Sequence, residues 1–216
     1  MGDVLVTNFN PSKHETSWRE RLTRFFLWVS VLAWGVLLGA KLFDLRVLVG
    51  AWSASPPQSL SLLPYGPQYP VDTGEFFIPS SAALLVAAFG GLISGWKTPW
   101  KYRVGLMMSA AMILASLVFT VFAFWPRNAA LWQVAKGAPA AMKDRDAITQ
   151  MVREWVRYDW VRVAMATLGF VSSVRAISIP FPPLIAAGPT PLVVKLMYAA
   201  GIGAVALFIA YFLSNL

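Results

Sequence analysis

The sequence predicts an all-α fold, a polytopic transmembrane helical bundle, and three observations carry that prediction. The 216-residue chain is 57% hydrophobic and only 13% charged, where a soluble domain carries about 25% charged residues. Its mean hydropathy is +0.60. Its apolar residues also fall into segments near the roughly 20 residues a membrane-crossing helix needs. Five such segments are present, a four-helix core followed by a fifth, C-terminal transmembrane helix.

The first segment, Phe25 to Val49, follows a polar tail of residues 1–24. Ser17-Trp18-Arg19-Glu20 before it has the Ser-x-x-Glu spacing of a capping box. Length and the lack of a small-residue cleavage site read as a retained anchor. The second runs from Pro79 to Trp96, the third from Val104 to Trp125, the fourth from Val156 to Ile177, and the fifth from Pro191 to Leu213. The expected division is a cytoplasmic tail (1–24), a four-helix bundle (25–178) and an additional helix (191–216). Gly35-x-x-x-Gly39 and Gly91-x-x-x-Gly95 predict close helix approach, within the chain or in a homo-oligomer.

Orientation follows from the short connections. Lys13, Arg19, Arg21 and Arg24 precede the first helix. Lys97, Lys101 and Arg103 lie between the second and third, and Arg175 and Lys195 border the next loop on that side. Loop 53–78 holds no Lys or Arg. This predicts a cytoplasmic N-terminus in a multi-pass protein of the cell's inner (plasma) membrane, in contact with lipid. The net charge of +8 therefore records topology and not a nucleic-acid partner. With no cysteine and a single histidine, His14, in the polar tail, the sequence predicts neither a metal site nor a cofactor.

Two outer connections carry more than linkage. Loop 53–78 holds Pro56, Pro57, Pro64, Pro67 and Pro70, and so predicts a cap without helix. Its apolar content, Leu60, Leu62, Leu63, Tyr65, Tyr69, Phe76 and Phe77, predicts that it folds back on the bundle. In the second connection, Ile148, Met151, Val152, Trp155 and Val156 recur at helical spacing. They predict an amphipathic helix over about 144–157, resting on the membrane surface and running into the fourth span.

This topology brings four helix ends to one depth. The first delivers Lys41, Asp44 and Arg46, the second Glu75, the third Asn128, and the fourth Arg157, Asp159 and Arg162. Ionisable groups at that depth are costly and mark function. Lys41 with Asp44, and Asp159 with Arg162, share helix faces three residues apart. They can close as two local ion pairs. Alternatively they cross between helices, with Asp44 accepting from Arg162 or Lys41 and Asn128 bridging. Trp52, Phe76, Trp125, Trp132 and Trp160 are the expected aromatic walls of a pocket for a planar, hydrophobic small molecule.

Pro126-x-Asn128-x-x-Leu131, followed by Trp155 or Trp160 and Arg162, resembles the DUF1772 or anthrone-oxygenase-like membrane proteins. Phe43-Asp44-x-Arg46-Val47, then Trp52-Ser53-x-Ser55-Pro56-Pro57-x-Ser59, is similar to the first-helix motif of a bacterial branch of that family. The resemblance spans about residues 30–178; Gly50 in place of a proline and the fifth helix depart from the pattern. It implies a four-helix bundle and, from some fungal members, O₂-dependent oxidation of anthrones without a metal.

Two functions are consistent with these features. In the first, a carboxylate deprotonates a planar phenolic substrate whose carbanion reduces O₂. Asp44 is the first candidate base and Asp159 the second, with Arg162 and Asn128 stabilising the oxyanion. In the second, the chain is a non-catalytic accessory or structural subunit of a larger membrane complex, binding lipid, pigment or quinone. Transport has less to rest on, because no inverted repeat is visible.

Overall fold

The computed structural model describes residues 18–64, 73–138, 144–183 and 192. Residues 1–17 of the polar tail and, apart from 192, the expected C-terminal fifth helix lie outside the described residues, whereas residues 18–24 of that tail already belong to the first helix. Four helices are long and apolar enough to cross a membrane: α1 (Trp18–Trp52), α2 (Thr73–Ser94), α3 (Trp100–Ala135) and α4 (Arg145–Ser178). The described residues contain no strand. The protein is thus an all-α, multi-pass helical membrane protein.

Polar contacts between helices show that neighbours run antiparallel. Near the start of α1, Thr23 donates to Ser94 at the end of α2 (2.9 Å). Midway, Trp34 Nε1 donates to Ser109 of α3 (3.0 Å), and Ser173 of α4 donates to the same hydroxyl (2.9 Å). Within lipid such bonds hold helices together where the hydrophobic effect does not. α1 packs on α2 and α4, and α3 on α2 and α4, which closes a four-membered ring.

Glycines set the approach of particular pairs. A Cβ on Gly169 would run into the Trp34 ring, and one on Gly95 would meet Leu106. Gly91 has ordinary contacts, and a Cβ on Gly39 would meet nothing. Of the two predicted Gly-x-x-x-Gly pairs, only the second is tightly packed within the chain.

The helices are longer than the apolar segments suggested. Pro79 does not begin α2, which starts six residues earlier at Thr73 and carries the proline in its second turn. Pro126 does not end α3. A π-helical turn, Thr120–Phe124, precedes it, and the helix resumes from Trp125 to Ala135. The Trp125 amide bonds back to the Thr120 carbonyl, and Pro126 sits in the first turn of the resumed helix, where its missing N–H costs least. Beyond its C-terminus, Gly137 (φ 72°) takes the left-handed conformation that stops the chain. α1 carries a matching π turn, Asp44–Leu48.

The apolar interior has two parts. One is the bundle core, around Leu27, Trp34, Leu85, Leu92, Leu106 and Ile113. The other lies at the opposite end from the start of α1, where Trp52, Leu60, Leu63, Phe124, Leu131, Val152 and Trp155 meet. Leu60 and Leu63 belong to the Pro-rich connection, so its described part folds back as expected, with a short 3-10 turn at Gln58–Leu62. Leu62 instead faces outward. The helical stripe over 144–157 continues unbroken into the fourth span, started by Asp144 accepting from the Ala147 amide (2.9 Å). Its apolar face does not rest on the membrane. Ile148, Val152 and Trp155 are buried in this second core, because the extension of α3 and the Pro-rich turn cover them.

Candidate functional site

A charged layer joins the two apolar cores. Lys41 Nζ lies 3.0 Å from Asp44 Oδ2 and 3.3 Å from Asp159 Oδ1. Arg162 donates to that same Asp159 oxygen through Nε (2.7 Å) and Nη2. Asp44 is 2% exposed and Asp159 is fully buried. The local ion pairs and the crossing between helices are therefore both present, joined by Lys41. Two acids and two bases cancel within the layer.

Local structure explains the placement. Asp44 opens the π turn of α1, where two consecutive residues, Asp44 and Leu45, are buried together. The same happens at Ala123 and Phe124 in the π turn of α3. Such wide turns often accompany functional sites. Aromatic rings cover the cations: Lys41 Nζ is 4.6 Å from the Phe77 ring centre, and the Arg162 guanidinium lies 3.4 Å from that of Phe124. These contacts offset part of the cost of taking charge out of water.

One atom of the layer is unsatisfied. Asp159 Oδ2 is buried and has no hydrogen-bond partner, while Oδ1 receives both cations. The indole N–H groups of Trp52 and Trp132 are likewise buried without a partner. Among the described residues, no three His, Cys, Asp or Glu side chains gather as a metal site would require.

Of the proposed catalytic residues, Asp44, Asp159 and Arg162 share this layer, and Asn128 does not bridge it. Asn128 Oδ1 accepts from Trp155 Nε1 (2.7 Å). Next to it, Arg127 pairs with Glu154 (3.0 Å) and donates to the Ala123 carbonyl (2.8 Å). Pro126-Arg127-Asn128 thus clasps the extension of α3 to the start of the fourth span. Trp155 in turn stands edge-on to Phe124 and to Trp52, each at 5.0 Å between ring centres. The clasp therefore reaches the charged layer through Phe124, under Arg162.

The expected aromatic walls divide. Trp52 and Trp132 are inside, in or against the second core. Phe76, Trp125 and Trp160 are each nearly half exposed, at 45%, 49% and 49%. These three stand on the exterior near one end of the bundle, as an interfacial aromatic belt does. Phe77, Phe124 and Trp155 were not among the candidate walls, yet these are the rings that meet the charges, Phe77 over Lys41 and Phe124 and Trp155 over Arg162. The i, i+3 spacings of Lys41 with Asp44 and of Asp159 with Arg162 signalled the network in advance, but not the rings that cover it.

A buried, charge-balanced layer at one end of an antiparallel helical ring defines the class: a multi-pass membrane protein with an internal ionic site. Residues 69–172, just under half of the chain, match the family model described as anthrone oxygenase. Over those residues the chain is similar to the anthrone-oxygenase family. The match takes in Asn128, Asp159 and Arg162 and begins after Lys41 and Asp44, so it holds half of the layer. No curated protein and no solved structure matches the chain.

Proposed function

We propose that this protein oxidises a planar phenolic substrate with O₂, without a cofactor, at the capped end of the bundle. In this reading it lies in the plasma membrane, N-terminus inside. The observation that supports it is Asp159, buried, with two cations on one carboxylate oxygen and none on the other. Asp44, the other candidate base, has Lys41 against it and serves to position that cation.

Asp159 Oδ2 removes a proton from a methylene carbon flanked by aromatic rings. Lys41 and Arg162 have further N–H groups beyond those on Asp159, and these hold the charge developing on the substrate oxygen. The carbanion passes electrons to O₂ and a C–O bond forms as a hydroperoxide. Loss of water then leaves a carbonyl, so CH₂ and O₂ become C=O and H₂O. Because Asp159 is closed off from solvent, substrate entry requires the helix ends around it to part.

The test is O₂ uptake by the full chain in lipid nanodiscs with an anthrone substrate. Uptake should exceed the spontaneous rate, and Asp159→Asn should lower turnover about 10²–10⁴-fold. Wild-type uptake no faster than spontaneous would overturn the reading. The charge balance of the layer favours a second reading, a structural clamp in an accessory subunit. That reading predicts no uptake and a larger assembly, carrying pigment, quinone or lipid, on gentle purification.

A further inference from the structure

Away from the charged layer, α4 carries an open groove of about 420 Å³ lined by Ser53, Val152, Arg153, Val156, Arg157 and Trp160. Arg153 and Arg157 are exposed, one turn apart on the same face. Neither has an acidic partner within ion-pair distance among the described residues, and like charges at this spacing repel. An anion seated between them would relieve that repulsion, with the Ser53 hydroxyl available from the opposite wall.

The height of the groove identifies the anion. Exposed side chains of α4 change character along the helix. Gln150, Arg153 and Arg157 lie on one side of Trp160, and Val161, Leu168 and Val171 on the other. Trp160 therefore marks the boundary between headgroups and hydrocarbon. The arginines stand at phosphate depth, and the valines supply an apolar floor. We propose that this groove binds the headgroup phosphate of an anionic membrane lipid, with the glycerol and upper acyl chain lying along Val156 and Trp160.

The test uses the full chain in nanodiscs of phosphatidylcholine with increasing phosphatidylglycerol, one or the other brominated to quench tryptophan. The Trp160 signal is the difference between wild type and Trp160→Phe. Brominated phosphatidylglycerol should quench it more strongly than brominated phosphatidylcholine at equal fraction. Each arginine near an anionic surface is worth about fivefold in affinity. Arg153→Gln with Arg157→Gln should therefore raise the phosphatidylglycerol fraction for half-quenching by at least about tenfold. Both side chains are exposed, so an unchanged melting temperature verifies folding. Equal quenching by the two lipids, or an excess that survives the double substitution, would overturn the proposal. So would loss of the excess on adding inorganic phosphate, which would mark a site for the free ion.

Discussion

At the scale of single residues, the layer behaves as a unit because each charge depends on another. Removing one partner of a buried ion pair costs about 3–5 kcal/mol, since the remaining charge stays buried and unpaired. Lys41→Met is expected to destabilise by that amount in detergent unfolding. Combined with Asp159→Asn, its effect should fall short of the sum, because both changes break the same contact. Strict additivity would mean that the Lys41–Asp159 contact contributes nothing. Glycine positions offer a contrast. Gly169→Ala forces the Trp34 ring to move and should cost about 1–3 kcal/mol. Gly39→Ala enters open space within a helix and should be neutral or stabilising by about 0.5–1 kcal/mol. Thermal denaturation of the two variants side by side distinguishes these outcomes.

At the scale of elements, the π turns and the clasp decide how α3 continues past Pro126. A proline read along the chain marks the end of a helix. Here the turn before it widens, and the helix resumes with the proline in its first turn. Nothing in the local composition announces this, because the extension gains its stability from partners 27 residues away, Glu154 and Trp155. Asn128→Ala should leave the Trp155 indole buried without an acceptor, at a cost of about 1–3 kcal/mol. Hydrogen exchange is expected to rise in Trp125–Ala135 first. Protection there unchanged from wild type would argue against the clasp. The amphipathic stripe shows a related limit: its spacing was legible, whereas what covers Ile148 and Val152 was a matter of tertiary packing.

At the scale of the whole molecule, two apolar cores meet at a neutral ionic layer, and orientation sets which side of the membrane that layer faces. The chain has no cysteine, so single-cysteine variants label without background. Ala54→Cys, exposed beside the Pro-rich turn, should react with an impermeant maleimide on intact cells. Lys97→Cys, exposed in the turn between α2 and α3, should react only after permeabilisation. The reverse pattern would overturn the proposed orientation. Trp125 and Trp160 belong at this scale too. Residue type alone does not separate a pocket wall from an interfacial belt, since both favour an amphipathic aromatic ring.

The sequence by itself determined the fold class, the four described membrane helices but not their ends, the common depth of Lys41, Asp44, Asp159 and Arg162, and the family resemblance of the 126–162 region. Hydropathy and helical spacing are local quantities, and the roughly 20-residue length a membrane imposes turns them into positions along the membrane normal. Only the tertiary structure decided which charges meet, that Asn128 serves Trp155 and not the layer, and that one oxygen of Asp159 is left unpaired. Depth does not specify rotation about a helix axis. Rotation is set by contacts such as Trp34 against Gly169 and by the two π turns, where one widened turn redirects the side chains that follow.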